Sequence, residues 1–222
     1  MEYDNILMDL DGTITNPKQG ITKSVQFALK ALGLHIEDLE TLTKHIGPPL
    51  KAGFMEYYDF NEEEADRAVD KYREFYDKAG ILDNEVYQGM EQLLIKLRAA
   101  GKVIIVATSK PEPLAERILS HFHLDQYFDS ICGATFDDQR SKKEEVIRYA
   151  LEKNKITDLS KVVMIGDRKY DIEGAKEVGI ASIGVLYGFG SREELEIAGA
   201  DRIATTVEEV YDVVMDFTGK LE

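Results

Sequence analysis

The chain has 222 residues, of which 27 are lysine or arginine and 42 are aspartate or glutamate, so its formal charge at pH 7 is −15. This length is enough to bury a substantial core and fits either one large domain or a core with an insertion. Nucleic acid polymers and anionic membranes need a positive binding surface, so the charge argues against both as partners. A small phosphorylated metabolite stays open as a substrate if basic residues gather locally.

Cysteine content and the N-terminal sequence bear on the compartment. Cys132 is the only cysteine, so the chain forms no internal disulfide and lacks the marks of a secreted, disulfide-stapled domain. The first residues lead directly into an acid-rich strand rather than a signal peptide, and no apolar run approaches the ~20 residues of a membrane span. We therefore expect a soluble, cytoplasmic protein, for which the sequence leaves monomer and homodimer open.

Short apolar runs alternate with helical patterns along most of the chain. The pattern predicts strands at residues 6–8, 103–107, 130–132, 162–165 and 181–185. It predicts helices at residues 89–100, 111–121, 141–153 and 191–198. Buried strands that alternate with helices indicate an α/β fold, here a Rossmann-like parallel sheet with helices on both faces.

Residues 20–83 interrupt this alternation. They contain no β-rich run and combine helical periodicity with many acidic and aromatic residues, with Asn61 as an expected helix N-cap and Gly80 as an expected helix end. We therefore predict a discontinuous core domain of residues 1–15 and 86–222, and a small all-helical cap domain of residues 16–85 inserted after the first strand. Two chain crossings between domains fit a hinge.

The most informative motif is Asp9-Leu10-Asp11-Gly12-Thr13, which directly follows the first predicted strand. Alternate side chains of an extended chain point the same way, so Asp9 and Asp11 converge. Converging carboxylates repel each other unless a cation lies between them or one carries a proton. Both conditions suit a metal-assisted reaction in which one acid attacks and the other transfers a proton. An ordinary Asp-Gly turn after a surface strand is the alternative.

Polar residues also follow the second and fourth predicted strands. Thr108 and Ser109 offer donors to a phosphate oxygen, although a plain strand end is the alternative. Asp167 and Asp171 add two carboxylates where a strand leads into a helix, which Asp171 can also cap. Ligands of open α/β sheets bind at the carboxyl ends of the strands. If the first and fourth strands are neighbours, the aspartates form an oxygen-rich pocket suited to Mg²⁺.

Two lysines lie at the start of the predicted helix 141–153, which Ser141 and Glu144 are expected to cap. Positive charge in a first turn opposes the helix macrodipole, so Lys142 and Lys143 each cost roughly 0.3 to 1 kcal/mol there. A bound phosphate reverses that sign, which makes the helix start a candidate phosphate site. A solvated lysine pair is the alternative.

These motifs, in this order, resemble the four motifs of the haloacid dehalogenase-like hydrolase superfamily over nearly the whole chain. The helical insertion resembles the cap of the phosphoglycolate phosphatase-like branch, and residues 46–50 (Ile-Gly-Pro-Pro-Leu) look like the cap loop that reaches the substrate. Residues 185–191 (Val-Leu-Tyr-Gly-Phe-Gly-Ser), with Glu194-Leu195 and residues 198–201 beyond, are similar to members described as 5′-nucleotidases.

The resemblance implies a phosphomonoester hydrolase that works through an aspartyl-phosphate. In this interpretation Asp9 is the nucleophile, and Asp11 protonates the leaving oxygen and then activates water. Thr108 holds the transferred phosphoryl group. Lys143 neutralises it, with the adjacent Lys142 as the alternative if the register is off by one.

The resemblance also implies Mg²⁺ as the cofactor and a set of binding residues. The implied metal ligands are Asp9, Asp11 through its backbone carbonyl, Asp167, and Asp171 either directly or through water. Lys110 is a third candidate for the lysine that neutralises the phosphoryl group. The predicted substrate-binding residues are Thr13, Ser109, Gly47 and Pro48.

The substrate and the reaction type each leave alternatives. The first candidate substrate is a nucleoside 5′-monophosphate, from the similarity of residues 185–191 and the aromatic residues of the insertion. The second is phosphoglycolate or another small organic phosphate. A sugar phosphomutase would produce an isomer instead of free phosphate, and a receiver-like phospho-acceptor module would release at most one phosphate per chain. The long helical insertion favours the hydrolase, because a signalling module needs no lid.

Overall fold

The computed structural model describes residues 3–137 and 139–216. The chain forms two compact units, which we call the core domain (residues 1–15 and 86–222) and the helical domain (residues 16–85). Among the described residues, no helix combines the length and the apolar composition that a membrane crossing requires.

Short strands and helices alternate along the core domain, whereas helices predominate in the insertion. In chain order, the strands are β1 (Asn5–Met8), β2 (Thr15–Asn16), β3 (Glu85–Val86), β4 (Val103–Pro111), β5 (Ser130–Ala134), β6 (Val162–Gly166), β7 (Ala181–Val185) and β8 (Arg202–Ala204). The α-helices are α1 (Lys18–Ala31), α2 (Leu50–Tyr58), α3 (Glu62–Phe75), α4 (Met90–Ala99), α5 (Glu112–His121), α6 (Lys143–Lys153), α7 (Lys169–Val178), α8 (Arg192–Ala198) and α9 (Val207–Met215).

The core domain is built on a six-stranded sheet in the order β5-β4-β1-β6-β7-β8, with parallel neighbours throughout. The central strand β1 pairs with β4 on one side and with β6 on the other, so Met8 lies opposite both Val106 and Ile165. The predicted parallel α/β fold is confirmed. The edge strand β8 was not predicted, because Arg202–Ala204 begins with a charged residue and does not form an apolar run.

The central strands carry apolar side chains on both faces, so both faces of the sheet are buried. Leu7 on β1 belongs to a buried cluster to which Val146 of α6 and Ala175 of α7 contribute. Its neighbours Ile6 and Met8 point to the opposite face, because successive side chains alternate, and both are fully buried. The acids that follow these strands therefore extend from a rigid layer.

The helical domain consists of α1, α2 and α3, with a 3₁₀ helix at Leu39–His45 and a π-helix at Tyr76–Gly80 that continues α3. Asn61 caps α3 as predicted: its side chain accepts a hydrogen bond from the Glu64 N–H, and the Glu64 carboxylate accepts one from the Asn61 N–H, both at 3.0 Å. The helical run ends at Gly80, again as predicted.

The predicted start of α6 was wrong by two residues. Ser141 does not cap the helix, which begins at Lys143. The acid that closes the first turn is Glu145 rather than Glu144, since its carboxylate accepts hydrogen bonds from the N–H groups of Ser141 (2.9 Å) and Lys142 (3.0 Å). The N-cap is therefore Lys142, with Glu145 three residues later, instead of the predicted pair Ser141 and Glu144.

Candidate active site

Three aspartates meet at the carboxyl ends of β1 and β6. Asp9 follows β1, and its N–H donates to the carbonyl of Ile165 on β6 at 2.9 Å, so the strand pairing continues to the first acid. One carboxylate oxygen each from Asp9, Asp167 and Asp171 lies within 4.8 Å of the others, and all three side chains are buried. The pairing of β1 with β6 therefore brings together acids that are almost 160 residues apart in sequence.

The buried ammonium of Lys143 lies among these acids. Its Nζ donates to Asp9 Oδ1 at 2.8 Å and to the carbonyl of Ala107 at 3.0 Å, and it forms an ion pair with Asp171 Oδ1 at 2.7 Å. Lys142, one residue earlier, is exposed. Because α6 begins at Lys143, this lysine and not its neighbour reaches the site.

Asp11 points to a different partner. Its Oδ2 lies 2.6 Å from the Nζ of Lys110, which belongs to the last part of β4, and both side chains are buried. Its Oδ1 is buried without a hydrogen-bond partner among the described residues. Burial raises the pKa of the Asp11 carboxyl, and Lys110 opposes this effect only in part. Asp11 is therefore biased toward the protonated form, as a proton donor requires.

The electrostatics of the aspartate cluster favour the binding of positive charge. Burial, together with the charges of Asp171 and Asp9, raises the pKa of the Asp167 carboxyl well above its ordinary value. Burial raises the pKa of Asp171 to about 6 against the opposing effect of Lys143. Burial lowers the pKa of Lys143, but its ion pairs with Asp171 and Asp9 outweigh this, and the net pKa is raised. One buried ammonium faces three buried acids, so a further cation would offset the repulsion among their carboxylates.

The turn after β1 depends on Gly12. Its φ is +92°, a left-handed conformation that L side chains rarely adopt, and a Cβ here would overlap the carboxylate of Asp167. The Gly12 N–H donates to the carbonyl of Thr15 at 2.7 Å, and this bond closes the turn. The glycine thus lets the backbone after Asp11 approach the acid that follows β6.

The predicted phosphate-binding residues of the core domain lie at the same strand ends. Thr13 is fully buried, and its hydroxyl has no hydrogen-bond partner in the described part of the chain. Thr108 is buried at the end of β4, where its Oγ1 accepts a hydrogen bond from the Lys110 N–H at 3.2 Å. Ser109 is half-buried beside it. The Thr13 hydroxyl is available to a ligand oxygen.

Gly47 and Pro48 lie in the helical domain, between the 3₁₀ helix Leu39–His45 and α2. Gly47 has a φ of +106°, so the chain makes a left-handed turn at this loop. Their role in substrate binding stays a prediction.

The residues present fit a hard divalent cation. Asp167 Oδ1 is buried without a hydrogen-bond partner among the described residues, in a cluster of three carboxylates. Carboxylate oxygens are the ligands that Mg²⁺ prefers, with waters filling the remaining positions. Asp171 Oδ2 accepts a hydrogen bond from the Arg168 N–H (3.1 Å), and its Oδ1 lies 2.7 Å from Lys143 Nζ without meeting hydrogen-bond geometry among the described residues, so direct and water-mediated ligation by this acid both stay open.

Two features of the site escaped the sequence analysis. The pairing of Asp11 with Lys110 was missed because β4 was expected to end at residue 107, whereas it continues through a bulge to Pro111. The second is the N–H of Phe189, which donates to Asp167 Oδ2 at 2.7 Å. The only available signal for it was the glycine on each side of Phe189.

Comparisons with known proteins are consistent with this geometry. The sequence model described as "Haloacid dehalogenase-like hydrolase" matches residues 6–185. A protein from Pseudomonas aeruginosa named 5′-nucleotidase is 47% identical over 195 residues, which cover 88% of this chain and 88% of that protein. A protein from Mycobacterium tuberculosis named tyrosine-protein kinase PtkA is 36% identical over 202 residues, covering 91% of this chain and 67% of that protein.

Two further similarities extend over nearly the full length. A phosphoglycolate phosphatase from Vibrio parahaemolyticus is 25% identical over 217 residues, covering 94% of this chain and 95% of that protein. A crystal structure described as a "predicted phosphatase" from Clostridium acetobutylicum superposes with a TM-score of 0.94 at 48% identity, covering 96% of this chain and 99% of that one.

Proposed function

The chain belongs to the haloacid dehalogenase-like hydrolase family, as one of its phosphatases, and we propose that it hydrolyses nucleoside 5′-monophosphates with Mg²⁺ through an aspartyl-phosphate on Asp9. The observation that carries the proposal is the cluster at the ends of β1 and β6, where Asp9 shares one buried site with Lys143, Asp167 and Asp171. Phosphoryl transfer needs a placed nucleophile and cations near the equatorial oxygens, and this cluster supplies both.

In the first half-reaction, a carboxylate oxygen of Asp9 attacks the phosphorus. The bond from phosphorus to the ester oxygen breaks, and Asp11 gives its proton to that oxygen as the nucleoside leaves. The raised pKa of Asp11 supports this role, because the acid must carry a proton before it can donate one. Lys143 already contacts Asp9 Oδ1, so its ammonium lies where the phosphoryl charge gathers.

In the second half-reaction, water replaces Asp9 on phosphorus. Asp11, now a carboxylate, takes a proton from the water as it attacks, and the bond between phosphorus and Asp9 breaks. Phosphate leaves, and both acids return to their starting protonation states. Thr108 and the hydroxyl of Thr13, which has no hydrogen-bond partner among the described residues, hold the phosphoryl oxygens in place through both steps.

Mg²⁺ completes the charge balance of the proposed site. Asp9, Asp167 and the backbone carbonyl of Asp11 would hold it, with Asp171 acting directly or through water. When bound, it offsets negative charge on the phosphoryl oxygens and orients them toward the nucleophile. The buried oxygen of Asp167 that lacks a hydrogen-bond partner among the described residues supports this assignment.

The choice of a nucleotide rests on the relative named 5′-nucleotidase, at 47% identity. Phosphoglycolate is the second candidate, favoured by the relative of that name. Both substrates use the same core-domain chemistry and differ only in the leaving group.

A screen of phosphate release tests the proposed function. The purified protein is incubated with Mg²⁺ and a panel of 5′- and 3′-nucleotides, sugar phosphates and phosphoglycolate, with the Asp9→Asn variant as the control for contaminating phosphatase. We expect many phosphates per chain, with the highest kcat/KM on a 5′-monophosphate. Release of at most one phosphate per chain, or isomerisation of a sugar phosphate without free phosphate, would contradict the proposal.

The same assay addresses the relative named a tyrosine kinase. A tyrosine-containing peptide and a nucleoside triphosphate are added, and phosphopeptide is measured beside free phosphate. A hydrolase passes the phosphoryl group to water, so we expect free phosphate and no phosphopeptide.

A further inference from the structure

The segment of residues 187–194, which we call the strap, joins β7 to α8 and touches the cluster of acids. Its Phe189 N–H donates to Asp167 Oδ2 at 2.7 Å. That hydrogen bond fixes the rotation of the Asp167 carboxylate, so the other oxygen, Oδ1, is left without a partner among the described residues. The backbone of the strap therefore decides which oxygen of Asp167 is available to a cation.

The glycines of the strap allow this close approach. A Cβ at Gly188 would overlap the side chain of Asp167 and the carbonyl oxygen of Gly12, and a Cβ at Gly190 would overlap the carbonyl oxygen of Asp167. The Asp167 carboxylate is thus enclosed by the Gly12 turn and by the strap, which restricts its movement.

The end of the strap holds the start of α7. Ser191 caps α8 in the ordinary way, since its Oγ accepts a hydrogen bond from the Glu194 N–H at 3.1 Å. The Glu194 carboxylate does not complete the capping box. Its Oε1 instead accepts from Arg168 Nε at 2.8 Å and from the Lys169 N–H at 2.9 Å.

These contacts connect the strap to Asp171. The Arg168 N–H donates to Asp171 Oδ2 at 3.1 Å, so Glu194 holds the residue whose backbone orients Asp171. Burial lowers the pKa of Arg168, but the hydrogen bond and charge of Glu194 outweigh this and raise the net pKa. Hydrogen bonds to a charged partner are about twice as strong as neutral ones, so this contact restrains the α7 start.

We infer that the strap is a positioning element for the metal ligands, with Glu194 as its key side chain. The inference rests on the proposed Mg²⁺ site and extends it to residues that touch neither metal nor phosphate. Groups behind metal ligands typically change metal affinity by about 10- to 100-fold when they are removed, because a freed ligand must be reordered on binding.

Mg²⁺ binding without substrate tests the inference. Calorimetric titration with Mg²⁺ alone compares the wild-type chain with Glu194→Ala and Glu193→Ala. Both variants lose one carboxylate from the same helical turn, but Glu193 is exposed, whereas Glu194 accepts the hydrogen bonds from Arg168 Nε and the Lys169 N–H. We expect Glu194→Ala to weaken Mg²⁺ roughly 10-fold or more and Glu193→Ala to change it less than about twofold. Glu194→Gln, which keeps an acceptor oxygen, should recover part of the affinity.

Gly188→Ala acts on the other end of the strap and guards against a folding artefact in Glu194→Ala. We expect this methyl group to displace Asp167 and to weaken Mg²⁺ by a similar factor, in protein that circular dichroism shows to be folded. Equal Mg²⁺ affinity of Glu194→Ala and Glu193→Ala would overturn the inference while leaving the proposed function intact. A wild-type protein that binds no Mg²⁺ would overturn both.

Discussion

The two domains differ in the charge of the side chains that they bury: among the described residues, buried charged groups lie in the core domain, together with uncharged ones such as Thr13 and Ser182. The core domain buries charged side chains at the ends of adjacent strands, namely Asp9, Asp11, Lys110, Lys143, Asp167 and Asp171. The helical domain buries Thr22, Ser24 and His45, which are uncharged at neutral pH. Thr22 and Ser24 each donate to the carbonyl four residues earlier, both at 2.6 Å, so these hydroxyls are satisfied within α1.

This difference separates a region arranged for chemistry from one arranged for packing. Removing an ion from water costs several kcal/mol, and an ion pair repays this cost only when its geometry is good and further hydrogen bonds satisfy both groups. A cluster of buried charges therefore indicates a site that serves a ligand or a reaction. The core domain retains buried oxygens without hydrogen-bond partners among its described residues, on Asp11, Thr13 and Asp167. A polar group in that state is ready for a ligand that supplies the missing contact.

Replacing the proposed nucleophile Asp9 gives the largest expected effect and tests whether the buried acids of the core domain carry out the reaction. Asp9→Asn should lower turnover at least about a thousandfold, because the amide is a poor nucleophile, while its similar shape keeps the fold. Phosphate release and the melting temperature are measured together. Asp4→Asn serves as the matched control, since Asp4 is exposed just before β1. Turnover that survives in Asp9→Asn would remove this residue as the nucleophile.

Removal of Mg²⁺ should have the second-largest effect on activity. EDTA should reduce phosphate release to the level of the Asp9→Asn variant, and Mg²⁺ added in excess should restore it, because the buried acids of the core domain then regain their cation. EDTA saturated beforehand with Mg²⁺ is the control for direct effects of the chelator. Indifference to the chelator would leave the buried acids without their proposed use.

Replacing Lys143 or Lys142 should have a smaller effect on kcat, and the comparison identifies which of the two lysines acts in the site. Lys143→Met should lower kcat roughly 100-fold, the usual cost of losing one group that stabilises transition-state charge. Lys142→Met, which changes an exposed side chain, should stay within about twofold of the wild type. Melting temperatures of both variants are recorded, since Lys143→Met leaves buried acids unpaired. The reverse order of kcat values would move the catalytic lysine to residue 142.

The smallest expected effect comes from His45 in the helical domain and changes only the free energy of unfolding. Burial of His45, with a contribution from Lys44, lowers its pKa from 6.5 to about 4. Its ring packs 5.1 Å from that of Phe54 and 5.6 Å from that of Tyr58. Between pH 6.5 and pH 4 the unfolded chain binds a proton that the folded chain does not, so stability falls as the pH falls.

Urea denaturation of the wild type and of His45→Phe at pH 7 and pH 5 measures this contribution. The wild type should lose roughly 2 kcal/mol of unfolding free energy relative to His45→Phe over that interval. Taking the difference between the two proteins cancels the titration of the core-domain acids. Parallel pH dependence in both proteins would mean that the pKa of His45 is the same in the folded and unfolded states.

Much of the site followed from sequence because local rules place it. The parallel pairing of β1 with β6 brings Asp9 and Asp167 to the same edge of the sheet, as the strand ends predict. Asp11, which was expected to converge with Asp9, is not part of this three-acid cluster and contacts Lys110 instead. What sequence could not supply depends on lengths and registers that tertiary contacts decide. The extension of β4 gives Asp11 its partner Lys110, and the shifted start of α6 selects Lys143.

The central position of β1 in the sheet determines when the cluster of acids can assemble during synthesis. Asn5 pairs with Val103 on one side and with Val162 on the other, so β1 leaves the ribosome well before either of its partner strands. Residues 16–85 are complete long before either partner exists. A chain that stops short of β6 holds Asp9 on an open strand edge, without Asp167 or Asp171, so the acids assemble only late in translation.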